Sequence, residues 1–322
     1  MKPRKSNDMP RPASNALQSK MAALLKALAP EEGYNLTRFP NIRFLRSNRP
    51  LTRTPVLYDP GIVIVCQGRK RGYLGDQMYV YDAQHYLVVS VPLPFSMETE
   101  ASEEAPMLAI YLRLDFPVVA DLMLRFEERQ DIVEAEPKGM ISTPMDEKLA
   151  ASVVRFLEAM SSPLEAEILG PALIREIYFR IFVGEQGGGM RAALTNQGHF
   201  GKIAKAVRII HTHYEQTLTV DELASEANMS VSTFHAHFKQ VTNTSPMQYL
   251  KSTRLHQGRL LMAREDMTVA SACSRVGYES PSQFSREFKR LFGRSPVEEI
   301  ARMKRTFGVP EASPNAAYVS SH

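Results

Sequence analysis

Residues 219–246 and 268–296 carry one pattern written twice, TVDELASEANMSVSTFHAHFKQVTNTSP and TVASACSRVGYESPSQFSREFKRLFGRSP. Ser230 matches Ser280, Phe234 matches Phe284, Phe238 matches Phe288, Lys239 matches Lys289, and Ser245-Pro246 matches Ser295-Pro296, all at an offset of 50. Upstream, Thr219 matches Thr268 at an offset of 49, so the second copy holds one extra residue between its two halves. Turns absorb such an insertion and helices do not. The last third of the chain is therefore constrained to two like units, each a helix, a turn and a second helix.

Each copy contains the signals such a unit needs. Thr219 with Glu222 forms a capping box, in which hydroxyl and carboxylate each satisfy a backbone N–H at a helix start. Leu223, Ala224 and Ala227 give the short first helix an apolar face small enough for a close crossing. Asn228 and Gly277 suit the tight turn because both tolerate a left-handed backbone. In the second copy Ser280 is placed as N-cap, Pro281 as first helical residue and Gln283 as partner in another capping box. Phe284, Phe288 and Leu291 then recur at helical spacing, and Gly293 closes the helix.

A pair of helices joined by a short turn, the second with a polar outer face, is the geometry that lays a helix in the DNA major groove. With Phe234 and Phe238 inward, Val231, Ser232, His235 and Ala236 face outward and Lys239 is directed at a phosphate. In the second copy Pro281, Ser282, Gln283 and Arg286 face outward, with Lys289 and Arg290 near the backbone. Gln283 suits adenine and Arg286 suits guanine, whereas lysines add charge without sequence information. Residues 201–308 carry 16 Lys/Arg against 10 Asp/Glu in a chain of formal net charge +4, so the basic excess sits with the repeat, as phosphate binding requires. Between the copies, Ser245-Pro246 reads as a cap and first-turn proline. Tyr249, Leu250, Leu255, Leu260 and Leu261 extend a helical pattern to about Ala263. A helix of roughly 18 residues spans about 27 Å, a strut on the scale of one DNA turn, roughly 34 Å.

The run VGYES-x-S-x-F-S-R-x-F-K-x-x-F-G-x-S-P, Val276 to Pro296, resembles the signature of the AraC/XylS family of bacterial transcription regulators, a likeness covering about 100 residues. The resemblance implies a seven-helix DNA-binding domain with two helix-turn-helix units joined by a connecting helix. It also implies promoter DNA and RNA polymerase as partners. By position, its base-contacting residues fall on Ser232, His235 and Ala236, and on Ser282, Gln283 and Arg286. Ala236 departs from the longer polar side chain often found there.

Residues 40–190 read differently. Strand-like stretches at Val56–Tyr58, Ile62–Cys66, Tyr73–Leu74, Gln77–Tyr81, His85–Val91, Phe95–Thr99 and Leu108–Leu114 alternate with turn residues, and Gly75-Asp76 marks a tight hairpin. Short strands at regular spacing predict a barrel or sandwich. Helices are predicted at 116–126, 145–160 and 163–182. The last places Ile168, Leu169, Ala172, Leu173, Ile177 and Ile181 near one stripe that suits a second protomer. Gly184 to Gly189 reads as the end of this half. Tyr58–Asp76 and Leu169–Gly187 resemble the N-terminal cupin-like domain of one branch of the same family, which implies sensing or dimerisation.

The expected organisation is thus an α+β two-domain chain: a loose tail at 1–20, a cupin-like barrel or sandwich with flanking helices at 21–190, an all-α double helix-turn-helix domain at 191–308, and a disordered tail at 309–322. A homodimer in the cytoplasm is expected, possible small-molecule effectors included, with no cofactor and no membrane partner. A metal-dependent cupin needs clustered histidines and a carboxylate, but the barrel region holds His85 alone. His211 with His213, and His235 with His237, are spaced i, i+2 and point apart on a helix. Cys66 and Cys273 read as packed thiols, and no C-x-x-C occurs. Arg69, Lys70 and Arg71 read as a solvated turn, with an anionic effector as the alternative partner. Two other readings stay open: a cupin enzyme fused to a DNA-targeting domain, and an architectural DNA-binding protein without sequence preference.

Overall fold

In the computed structural model, which describes residues 12–127, 136–194 and 198–306, the chain forms two halves. The first runs α1 (Asn15–Leu28), β1 (Gly33–Leu36), β2 (Ile42–Ser47), β3 (Leu51–Tyr58), β4 (Gly61–Gln67), β5 (Arg69–Leu74), β6 (Gln77–Asp82), β7 (His85–Val89), β8 (Leu93–Glu100), β9 (Met107–Arg113), α2 (Phe116–Glu127), β10 (Met140–Pro144), α3 (Glu147–Met160), α4 (Pro163–Val183) and α5 (Gly187–Leu194). The second is helical: α6 (Gly198–Thr212), α7 (Val220–Glu226), α8 (Val231–Thr242), α9 (Pro246–Arg264), α10 (Val269–Arg275), α11 (Pro281–Phe292) and α12 (Pro296–Thr306).

The strands join one antiparallel sheet in the order β1-β2-β9-β4-β7-β6-β5-β8-β3, with β10 also on β7. Its central strands are apolar at nearly every position because both their faces are covered, which removes the usual alternation. Ile62, Ile64 and Cys66 of β4, Leu108, Ile110 and Leu112 of β9, and Tyr86 and Val88 of β7 pack under a helical layer. Val63, Val65, Ala109, Tyr111, Leu87 and Val89 turn the other way, into the barrel interior with Val56, Tyr58, Tyr81, Phe95 and Met97. Leu74 pairs with Gln77 across the two-residue turn Gly75-Asp76, where Gly75 has φ of +60°, a hairpin geometry that favours glycine.

Four expectations change here. Arg69-Lys70-Arg71 is not a turn but the start of β5, and strand alternation divides it. Arg69 and Arg71 face outward onto Asp82, Glu98 and Glu100, whereas Lys70 faces the interior. Residues 15–20, placed in a loose tail by sequence, begin α1; Ser14 caps it, and Met21 and Leu25 are buried in the main core. Residues 1–11 and the predicted tail at 309–322 lie outside the described residues. Gly187–Gly189 do not end the half as a loop but open α5, whose Met190 is buried in the helix-covered core and whose Ala193 is buried in the barrel. Finally, α4 carries two apolar faces rather than one stripe. Ile177, Tyr178, Ile181 and Phe182 are buried, while Leu164, Ile168, Leu169, Phe179 and Val183 are exposed.

In the helical half, α9 has 19 residues, about 28 Å at 1.5 Å per residue. It is buried on most sides because it is shared by two small cores. Tyr249 and Leu250 join Phe234 and Phe238 on one side, and Leu255 and Met262 join Phe284 and Phe288 on the other. Ser245 has the extended backbone of an N-cap and is followed by Pro246, but its side chain makes no capping hydrogen bond. The turns of the two units, 227–230 and 276–280, differ by the one residue inferred from the repeat.

Candidate nucleic-acid interface

The first unit is built as its sequence requires. Thr219 Oγ1 accepts from Glu222 N at 3.2 Å, and Glu222 Oε2 accepts from Thr219 N at 2.8 Å, the reciprocal capping box that starts α7. Asn228 takes φ of 48° in the turn. Ser230 Oγ accepts from Thr233 N at 3.3 Å and starts α8, and Asn243 ends it in the left-handed region. Phe234 and Phe238 are fully buried, with the Tyr249 ring edge-on to Phe238 at 5.5 Å. Burying this face fixes the other. Ser232, His235, Ala236 and Lys239 are all exposed.

The second unit repeats the plan. Thr268 caps α10, Ser280 Oγ accepts from Gln283 N at 3.3 Å, and Gly293 closes α11 with φ of 77°. Gly277, at φ of 79°, is required twice over, since a Cβ there would lie 2.3 Å from Glu215 O. Phe284 and Phe288 are buried; Ser282, Arg286, Lys289 and Arg290 are exposed. Gln283 is half-buried and does not complete a capping box. Its Nε2 donates to Glu287 Oε1 at 3.2 Å, one helical turn along. Glu287 also accepts from Tyr278 Oη at 2.9 Å and Lys251 Nζ at 3.4 Å, and these donors together hold its carboxyl below the ordinary range although burial opposes them. This carboxylate, to which no sequence motif points, ties α11 to α9.

Some cations of the molecule are paired with carboxylates, and those on these faces belong with the ones that are not. Among the described residues Arg38, Arg69, Arg71, Arg155, Arg175, Lys205, Lys251 and Arg302 each reach a carboxylate. None of Lys239, Arg286, Lys289 and Arg290 has one within ion-pair distance among them. Unpaired positive charge on a helix face is what a polyanion can neutralise. Arg290 stands apart in one respect. It lines a cleft of about 550 Å³ between α9, α11 and the barrel, with Arg53 and Lys251, so it lies on the barrel side of α11.

Arg254 on α9 bridges the two units. Its guanidinium donates to Tyr214 O at 2.6 Å, Gln216 O at 2.8 Å and Gly277 O at 2.9 Å. The first two carbonyls lead into the first unit and the third is the turn of the second. A planar fork with five donors can bridge three carbonyls where an ammonium cannot hold the same geometry.

The barrel is joined to this assembly. Tyr249 Oη donates to Pro92 O at 2.7 Å and lies 2.8 Å from His211 Nε2. With the phenol proton committed to Pro92, His211 Nε2 carries the hydrogen. Burial pushes the His211 imidazole down to about 3, so it stays neutral. Val241 of α8 packs on both the barrel core and the first-unit core. At the same seam burial pushes the Asp59 carboxyl up to about 7 against the pull of Arg113, Arg43 and Arg264. Cys66 is buried and pushed up to about 12, which makes it unreactive. Among the described residues no group of three or more His, Cys, Asp or Glu is placed to hold a metal ion, and no helix is long and apolar enough to cross a membrane.

Comparison with known proteins follows the same division. Residues 38–189 match the AraC-type transcriptional regulator N-terminus and residues 223–302 match a helix-turn-helix domain. The chain is 33% identical over 95 residues to the HTH-type transcriptional regulator AlkR of Acinetobacter baylyi, covering 30% of this chain and 31% of that one. It is 28% identical over 145 residues to the HTH-type transcriptional activator RhaS of Klebsiella pneumoniae, covering 45% and 50%. These matches span 31% of the one relative and 50% of the other. The whole fold is similar to that of unsaturated fatty acid bound wild-type ToxT from Vibrio cholerae, with a TM-score of 0.57 at 12% identity over 84% of this chain and 97% of that one. An AraC-type N-terminal half joined to a doubled helix-turn-helix half places the chain in the AraC/XylS family of transcriptional regulators.

Proposed function

We propose that this protein is a sequence-specific, promoter-binding transcription regulator, with α8 and α11 as its two major-groove reading helices. Ser232, His235 and Ala236 read bases in one groove, and Ser282, Gln283 and Arg286 read them in the next. Lys239 and Lys289 meet phosphates. Arg290 joins them on the backbone when the cleft that it lines opens. The observation that carries this reading is the pair of like units whose outward Lys239, Arg286, Lys289 and Arg290 have no acidic partner among the described residues while their aromatic faces are buried.

The barrel half, about residues 21–190, senses a small-molecule signal, and residues 191–308 bind DNA. Sensing is supported by a built seam, in which Tyr249 of α9 and Val241 of α8 touch the barrel and the 550 Å³ cleft lies between the barrel and α9 and α11. The protein acts as a homodimer in the cytoplasm and, as its family implies, contacts RNA polymerase at the promoter. The exposed row Leu164, Ile168, Phe179 and Val183 on α4 supports pairing, because a contiguous exposed apolar row is what a protein–protein contact covers. Competition binding tests the DNA reading: a site selected from random DNA is preferred over its scrambled sequence by at least about 10³-fold. A ratio near one contradicts it.

A further inference from the structure

Lys70 is 2% exposed on the inner face of β5. Its Nζ donates to the hydroxyl of Tyr58 at 3.4 Å and to the sulfur of Met97 at 3.5 Å. Among the described residues no carboxylate lies within ion-pair distance of it, although Arg69 and Arg71 on either side both reach one. Across the sheet Lys70 pairs with Tyr81 on β6 and Thr99 on β8, both buried. An inward strand position is ordinarily apolar, as at Leu74 on the same strand. An ammonium there loses its hydration, and a phenol and a thioether, both weak acceptors, do not replace it.

We propose that Lys70 anchors the carboxylate of a small monocarboxylate whose apolar body lies within the barrel; this rests on the sensing role given to that half. The ammonium supplies the counter-charge and the Tyr58 hydroxyl a second donor. Met97 occupies the position of the incoming oxygens, and its unbranched side chain is able to withdraw. Tyr58, Phe95 and Tyr111 wall the site, with ring centroids 4.7 and 6.3 Å from Tyr58. Phe95 and Val56 are also the barrel wall of the interdomain cleft, which Leu255 of α9 and Leu291 of α11 line from the opposite side. A ligand that seats on Lys70 by displacing Phe95 therefore acts on the surface against which the second reading helix rests.

The test uses the full chain and the K70M variant, with benzoate and octanoate as probes and octanamide as the uncharged control. Because an uncompensated buried charge is replaced by an apolar chain of similar length, K70M without ligand unfolds about 2 °C or more above the wild type. At least one carboxylate raises the wild-type midpoint and binds K70M at least 10-fold more weakly by calorimetry, and octanamide shifts neither. A lower midpoint for ligand-free K70M makes Lys70 a structural residue and overturns the proposal. So do equal shifts in the two proteins, or no shift in the wild type with either carboxylate. Preference for selected over scrambled DNA, measured on the same wild-type preparation, reports separately on the regulatory reading.

Discussion

Replacing Arg254 with alanine separates what each unit does alone from what the pair does together. The guanidinium bridges three backbone carbonyls, one of them the turn carbonyl of the second unit. A hydrogen bond from a charged donor is worth ~1.5–3 kcal/mol. The three share one half-buried group, and their losses overlap, so Arg254→Ala is expected to cost about 2–4 kcal/mol of stability rather than the full sum. Urea unfolding measures that loss and defines conditions in which the variant stays folded. Under them, binding is compared on a selected two-part site and on the same DNA with one part scrambled. If α9 and Arg254 hold the units as one rigid reader, the two-part affinity falls about 10- to 100-fold as the second contact loses its preset position. The single-part affinity changes by less than about 3-fold. Equal losses on both DNAs, or none on the two-part site, refute the role given to Arg254.

Other outcomes follow from the same geometry. Arg286→Ala relaxes preference at one base position by about 1–3 kcal/mol, whereas Lys289→Ala weakens all sequences alike and lowers the salt slope by about one; gel-shift titrations on single-base variants of the site distinguish the two. Phe288→Ala, at a fully buried position of the second core, costs about 3–5 kcal/mol in urea unfolding. Asp59 and His211 give opposed pH dependences. The Asp59 carboxyl, raised to about 7, binds a proton more readily in the folded state, so its share of stability is present below pH 4 and lost as pH rises toward 7. His211, lowered to about 3, binds a proton more readily when unfolded, so its share is lost as pH falls from 6.5 toward 3. Asp59→Asn therefore leaves the His211 slope unopposed, and its unfolding midpoint drops more steeply than the wild type's between pH 6.5 and 4. If two copies pair through α4 as proposed, Ile168→Glu on its exposed face leaves only monomer in sedimentation, and a wild type that is itself monomeric refutes the pairing.

Much of the DNA-binding half was legible in sequence because its signals are local. A threonine and a glutamate three residues apart form a capping box wherever they sit, and Asn228, Gly277 and Gly293 occupy the left-handed positions their residue types favour. The buried Phe pairs then left few choices for the outward residues. Gln283 shows the limit of local signals, because Glu287 one turn away competes for its amide. In the barrel, the runs at β4 and β9 were recognisable but not their double burial. The alternation of β2, with Ile42 and Phe44 buried under the helical layer, is visible in the sequence but masked by Arg43 between them and Arg46 beyond. The signal at α1 was also present, in Ser14 and the spacing of Met21 and Leu25, but a proline-containing basic stretch precedes it. The inward turn of Lys70 follows from period-two alternation once Arg69-Lys70-Arg71 is known to be a strand, whereas three adjacent charges first suggest solvent. Nothing local announces Arg254, Tyr249 or Asp59 as seam residues, since their partners lie 23 or more residues away in the chain or on another element.

Selection of bound fragments from random duplex DNA, followed by hydroxyl-radical footprinting of the winners, addresses the paired reading helices directly, since the protein itself chooses the site. Two short conserved blocks on one face of the duplex, about 10 base pairs apart, with the block specificity of one lost in Arg286→Ala, is the predicted result. A single block, or fragments with no shared sequence, contradicts it.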